Sequence, residues 1–228
     1  ESAPVRRAGI EPDSDRLQER SLAKLAGEAA VTELFDGPAL FPRVGIMVGP
    51  RGTRYTYWPV RLAKALRDEL PRTVLLPGDE NRTVQYSDAR DIASWVVAML
   101  AQGRGGTFNT VGPGRPETLA EVLDACLAVS GGTRDDVTFV RADEKPMRLL
   151  LGDIDEEERP LWFPEDQIPQ VAIDSFAALD AGLVFRPAEG TAADTLRWAE
   201  ESGDSGLTDG AFAAREQRII RSLLEGRS

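Results

Sequence analysis

The sequence predicts an α/β protein built on a parallel sheet, and three observations predict it. Short apolar runs that read as strands alternate with longer segments whose apolar residues recur at helical spacing. The run from Ala39 to Val48 puts apolar residues on both strand faces, as a strand covered by helices on either side does. Turns rich in glycine and proline separate the runs, with no internal repeat and no low-complexity tract.

Taken in order, residues 1–13 carry Pro4, Gly9 and Pro12 and read as loop. Asp13 or Ser14 can cap a helix running to about Leu34, with Leu22, Leu25 and Ala29 as its apolar stripe and Asp36-Gly37-Pro38 as its stop. The Ala39–Val48 strand ends at Gly49-Pro50-Arg51-Gly52. A second helix covers about Trp58 to Leu70, with Leu62, Leu66 and Leu70 in register. Val74-Leu75-Leu76 is a short strand leading to a turn at Gly78-Asp79.

From Asp88 to Leu100 the pattern is again helical, with Ile92, Trp95, Val96, Met99 and Leu100 on one stripe. Asp88 and Asp91 stand where a new helix leaves its N–H groups unpaired, so they read as capping and ion-pairing residues with Arg90. Thr107 to Val111 is a strand, and Thr118 caps a helix striped by Leu119, Val122, Leu123, Cys126 and Leu127. Val137 to Val140 is a strand. Residues 142–170 are acidic, with a carboxylate run at Asp153, Asp155, Glu156, Glu157 and Glu158 that reads as a solvated face, and a patch at Leu161-Trp162-Phe163-Pro164 that reads as exposed. Asp174 starts a helix ending at Gly182, and two more helices cover about 190–201 and 209–225.

Composition narrows the chemistry. The 228 residues carry a formal net charge of −11, which argues against a nucleic-acid backbone or an anionic membrane as partner. There is no histidine, so no Ser-His-Asp or Cys-His arrangement can form within the chain. The single cysteine, Cys126, lies in an apolar helical pattern and reads as a small buried hydrophobe; one cysteine fits a reducing compartment, so a cytoplasmic location is expected. No run approaches the length of a membrane span, and no signal peptide is visible.

Four segments, in order, resemble the extended short-chain dehydrogenase/reductases, the NAD(P)-dependent epimerase/dehydratase group. They are Arg43-Val44-Gly45-Ile46-Met47-Val48-Gly49-Pro50, then Gly78-Asp79-Glu80-Asn81-Arg82 with the following Asp88-Ala89-Arg90-Asp91-Ile92-Ala93, then Gly106-Thr107-Phe108-Asn109-Thr110-Val111-Gly112, then Ala181-Gly182-Leu183-Val184-Phe185-Arg186-Pro187. The resemblance covers only the part of the family beyond its first strands. It implies a partial Rossmann-like parallel sheet with a small substrate-binding lobe. Residues 1–50 would be the remainder of the nucleotide-binding domain, and 51–228 the lobe, interleaved with returning Rossmann elements at about 83–112. No Gly-x-Gly-x-x-Gly follows a strand, so the dinucleotide fingerprint would lie before Glu1, in residues outside the chain or in a partner chain. Glu1-Ser2-Ala3-Pro4-Val5 itself reads as the middle of a loop.

The resemblance also implies roles for residues. The family's Tyr-x-x-x-Lys falls on Arg20-Ser21-Leu22-Ala23-Lys24: the lysine is present as Lys24, a catalytic and cofactor-binding candidate, but Arg20 replaces the tyrosine and cannot exchange a proton as tyrosine does. Arg43 and Gly45 would lie beside NAD or NADP. Arg51, Arg54, Tyr55, Tyr57 and Trp58, clustered after a strand end, suit an anionic or ring-bearing substrate, and Arg82 matches a position near a substrate's phosphates. The simpler roles are a helix start for 51–58 and a salt bridge from Arg82 to Asp79 or Asp88. A homodimer through helices near 14–34 and 55–70 is the further expectation. The function implied is an NAD(P)-dependent oxidoreductase or epimerase acting on a small organic molecule, a sugar nucleotide or a secondary-metabolite ketone. The alternative is a redox-inactive relative serving as a binding or scaffold subunit, or as a cofactor-independent catalyst.

Overall fold

The computed structural model describes residues 13–152, 154, 159–162, 173–203 and 210–226. The chain runs through α1 (Asp13–Leu34), β1 (Leu40–Val44), β2 (Met47–Val48), α2 (Thr53–Leu66), β3 (Thr73–Pro77), β4 (Thr83–Val84), β5 (Ser87–Asp88) and α3 (Ala89–Ala101). It continues through β6 (Gly106–Thr110), β7 (Glu117–Thr118), α4 (Leu119–Val129), a 3-10 turn at Arg134–Asp136, β8 (Thr138–Ala142), α5 (Glu144–Leu151), α6 (Phe176–Asp180), α7 (Ala188–Ser202) and α8 (Gly210–Glu225). The fold is mixed α/β with short parallel ladders, as the alternating pattern predicts.

Three ladders are parallel. β1 pairs with β6 from Leu40 opposite Gly106 to Val44 opposite Thr110, β2 with β5, and β3 with β8 from Thr73 opposite Thr138 to Pro77 opposite Ala142. β4 and β7 are antiparallel, with Val84 opposite Glu117. The expected single strand over Ala39–Val48 is two strands, because the chain changes partner at Gly45. β1 follows β6, whereas beyond Gly45 the Ile46 carbonyl accepts from Ser87 N–H and β2 continues beside β5. Nor is this strand covered on both faces: β1 is only half-buried, and Val44 and Met47 are exposed. Among the described residues the other edge of β1 pairs with no strand.

α2 is the centre of the main core. It packs on α4 and α7, and those two helices pack on each other. Tyr55, Trp58, Leu62, Leu119, Leu123 and Leu127 are at most 1% exposed there. The helix starts earlier than its leucine register suggests, at Thr53, and ends at Leu66, because Asp68 enters the left-handed region at φ 59° and breaks the run toward Leu70. A second cluster joins Ile92, Trp95 and Met99 of α3 to Ala178 and Leu183. There Trp95 meets Phe108 of β6 edge to face at 5.3 Å and donates its indole N–H to Ala181 O.

α1 differs from every other long helix. Among its described side chains only Glu28 is even partly buried, and the expected stripe of Leu22, Leu25 and Ala29 is exposed. One tie to the sheet is the Arg43–Glu28 pair at 2.8 Å. Of the helix pair expected to form a dimer, α2 is largely enclosed within its own chain and α1 is open. The patch expected to be exposed is also corrected. Leu161 and Trp162 are 1% and 4% exposed, and the rest of that patch lies outside the described residues, as do Asp153 and residues 155–158 of the acidic run.

Candidate functional site

The ends of β2 and β5 meet at one point. Gly49 has φ 112°, and a Cβ built on it would lie 3.1 Å from Asp88 Oδ1, so this turn passes the carboxylate only as glycine. Asp88 caps α3 by accepting from Arg90 N–H, and also accepts from the Arg90 guanidinium and from Thr191 Oγ1. Burial raises its pKa, but the Arg90 side chain and backbone and the Thr191 hydroxyl outweigh it and hold the carboxyl below its ordinary value. Arg90 reaches on to Asp194 at 2.7 Å, and Asp91 accepts from the backbone and side chain of Arg186. This network fastens α3 to α7. It is the capping and ion-pair group that the spacing of Asp88, Arg90 and Asp91 suggests.

The turn after β3 carries Arg82. Its Nη2 donates to Leu161 O at 2.8 Å, and its Nε is buried with no acceptor among the described residues. Burial lowers its pKa, with Asp79 the one opposing charge. The expected bridge to Asp79 or Asp88 does not form: among the described residues Arg82 makes no ion pair, and Asp88 belongs to Arg90 and Arg186.

The aromatic cluster lies next to this point but turned into the core. Tyr55, Tyr57 and Trp58 are 0%, 3% and 1% exposed. Tyr57 donates to Glu216 Oε1 and Trp58 to Pro160 O, while Tyr55 stacks obliquely on Tyr86 at 5.7 Å with its hydroxyl beside Cys126 Sγ. These rings hold α2 in place; as lining for a solvent-filled substrate pocket they are corrected by their burial. Arg51 is exposed with φ 71°, and Arg54 is half-buried at the helix start. The two segments touch where Gly49 passes Asp88 and where Tyr55 meets Tyr86, and Arg51, Arg54 and Arg82 are the polar candidates that remain.

The cofactor candidates lie near one another, since Arg43 and Gly45 are two residues apart and Arg43 pairs with Glu28, one helical turn from Lys24 on α1, but each is either exposed or engaged within the chain. Lys24 is exposed on α1, the Arg43 guanidinium is engaged by Glu28, and Gly45 faces Val111, whose methyl carbons would lie 3.2 Å from an added Cβ. Internal packing accounts for Arg43 and Gly45, and the side chain of Arg20 lies outside the described set. With one exposed lysine and no glycine turn for a pyrophosphate, the residues present do not by themselves make a seat for a nicotinamide dinucleotide.

A feature the sequence does not signal lies on the other side of β7. A cleft of about 680 Å³ is bounded by Pro113–Arg115, Glu117, Glu121 and Phe185–Glu189, and none of the nine predicted site residues lines it. Glu117 forms its buried wall. Burial pushes the Glu117 carboxyl above its ordinary value, against the pull of a hydrogen bond donated by Tyr86 and of Arg115 at 3.7 Å. Burial likewise pushes the Tyr86 hydroxyl far above the usual tyrosine range. In the sequence Glu117 stands one place before a capping threonine, and nothing local distinguishes it from a surface residue. Among the described residues no cluster of three or more potential metal ligands occurs, and no helix is long and apolar enough to cross a membrane.

The architecture has counterparts among solved structures. It aligns with the dTDP-glucose 4,6-dehydratase of Bacillus anthracis in complex with NAD at TM-score 0.52 and 16% identity, over 89% of this chain and 58% of that one. Further alignments are to RMD from Pseudomonas aeruginosa complexed with NADPH (TM-score 0.49, 14% identity, 71% and 48% of the two chains) and to UDP-glucuronic acid 4-epimerase from Bacillus cereus in complex with NAD (TM-score 0.47, 17%, 84% and 53%). The chain spans about half the length of these proteins. No protein-family model and no curated protein matches the sequence. At such identities the dehydratase alignment speaks for the fold, which is Rossmann-like, and not for the reaction.

Proposed function

We propose that this chain is the substrate-side portion of an NAD(P)-dependent epimerase or dehydratase that acts on a sugar nucleotide, its dinucleotide-binding half being supplied by residues outside the chain or by a partner chain. The observation that carries this reading is Arg82. A guanidinium sunk beside β4 with no carboxylate partner among the described residues suits an anion, and a diphosphate matches its fork of donors. Arg51 and Arg54, on the turn and helix start after β2, would add positive charge. Lys24, exposed on α1 beside the half-covered strand β1, is the residue of this chain that would face a cofactor's ribose. Bound dinucleotide would supply hydride transfer; the part assigned to this chain is to hold and orient the substrate.

The test is calorimetric titration with dTDP-glucose and UDP-glucose, on the chain and on its Arg82→Gln variant. Binding by the first and its loss in the second is the expected result. No binding at millimolar concentration by either would sink the sugar-nucleotide reading. A second reading, a redox-inactive relative that binds without turning over, is favoured by Arg20 at the family's tyrosine position. Titrating the natural full-length protein with NAD⁺, NADH, NADP⁺ and NADPH separates the two, since only the first requires dinucleotide binding.

A further inference from the structure

Residues 159–162 have no regular secondary structure, yet Leu161 and Trp162 are buried in the main core. Two side chains hold the segment by its carbonyls: Trp58 donates its indole N–H to Pro160 O at 3.0 Å, and Arg82 donates to Leu161 O at 2.8 Å. Arg159 is drawn in as well, with its guanidinium 5.9 Å from the Trp162 ring and its Nε donating to Ile154 O.

The fit is incomplete in two respects. Arg82 has five N–H donors in a rigid fork suited to a carboxylate or phosphate, and among the described residues a single neutral carbonyl faces it while Nε is buried without an acceptor. Leu161 itself sits at φ 49°, the left-handed region that a branched side chain avoids. Burial of the Leu161 and Trp162 side chains opposes both costs. A segment that is buried, strained and hung from an under-satisfied cation is one that a better ligand for that cation can dislodge.

We infer that Pro160–Trp162 is a built-in occupant of the anion seat at Arg82, displaced when the diphosphate of a ligand takes the guanidinium from the Leu161 carbonyl. The inference rests on Arg82 being ligand-facing, as proposed above. In the seated state the chain is closed to ligand; in the lifted state Arg82 and the indole of Trp58 both lose their internal acceptors and become available. Apparent affinity is then the intrinsic affinity reduced by the fraction of molecules already open.

The probe is dTDP, titrated by calorimetry into the chain and into a Leu161→Gly/Trp162→Ala double variant. With an open fraction of roughly a tenth, the double variant binds roughly tenfold tighter, and adding Arg82→Gln removes the binding. Equal affinity in the chain and the double variant overturns the built-in occupant while leaving the Arg82 seat standing. Absence of binding in both overturns the seat and the occupant together. A second measurement accompanies it: acrylamide quenching of Trp162, isolated by difference against the milder Trp162→Phe, rises on saturation with dTDP. Unchanged quenching with dTDP demonstrably bound overturns the displacement.

Discussion

Arg61 of α2 and Glu216 of α8 form a salt bridge at 2.9 Å with each side chain only 1% exposed. Glu216 also accepts from Tyr57 and from the backbone N–H of Leu75 in β3, and Arg61 donates to Thr73 O, so one carboxylate and one guanidinium join two helices to a strand. Glu216→Gln leaves Arg61 buried without a counter-charge, and the expected loss is about 3–5 kcal/mol by urea unfolding. An Arg61→Met/Glu216→Leu pair should cost less than the sum of the two single changes. Strict additivity would show that the two residues act independently.

Glu117 gives the cleft wall a pH signature. Its folded pKa is raised, burial being the main cause, so the stability it contributes is present below the ordinary carboxylate value of 4.5 and is lost as pH rises through the raised value. Thermal melts across that interval should show this decline in the chain and a flatter profile in Glu117→Gln. A profile unaltered by the substitution would locate the titration elsewhere.

Asp88 behaves in the opposite sense. Its folded pKa is depressed, so its contribution is present above the ordinary value of 3.8 and is lost as pH falls through the lowered one. Asp88→Ala removes the α3 cap and one of the two carboxylates paired with Arg90, Asp194 remaining, at an expected cost of about 1–2 kcal/mol. Gly49→Ala, which forces a Cβ toward Asp88 at positive φ, should cost about 1–3 kcal/mol. Guanidinium unfolding of the two variants measures both.

Cys126 is fully buried, and its thiol is pushed up to about 12 by burial. The folded protein should therefore react with a disulfide reagent at mildly alkaline pH only at the rate at which it unfolds, and at once in denaturant. Rapid labelling of native protein would place Cys126 at the surface.

The elements whose signals are local were legible in the sequence. Thr118 and Glu121 form the capping box at the start of α4, and Asp88 caps α3 through a side chain that could be read from its position. Cys126 lies in the core, as its stripe implies. What escaped depends on partners distant in the chain. Tyr55, Tyr57 and Trp58 look like ligand contacts because they follow a strand end, and only Glu216, Pro160 and Tyr86 show why they face inward. The cleft beside Glu117 is shaped by residues 113–128 and 185–189 together, and no window of sequence contains both.

The parallel ladders also set an order of events. Each joins segments separated by dozens of residues, so none can close as a hairpin, and the chain belongs with slow-folding topologies in which loop closure precedes its reward. The carboxylate of Glu216, near the C-terminal end of the chain, is what neutralises Arg61 and satisfies Leu75 N–H. On the ribosome, α2 and β3 are thus synthesised long before their counter-charge exists. Until α8 has left the exit tunnel, Arg61 and Leu75 N–H lack the partner that Glu216 gives them in the folded chain.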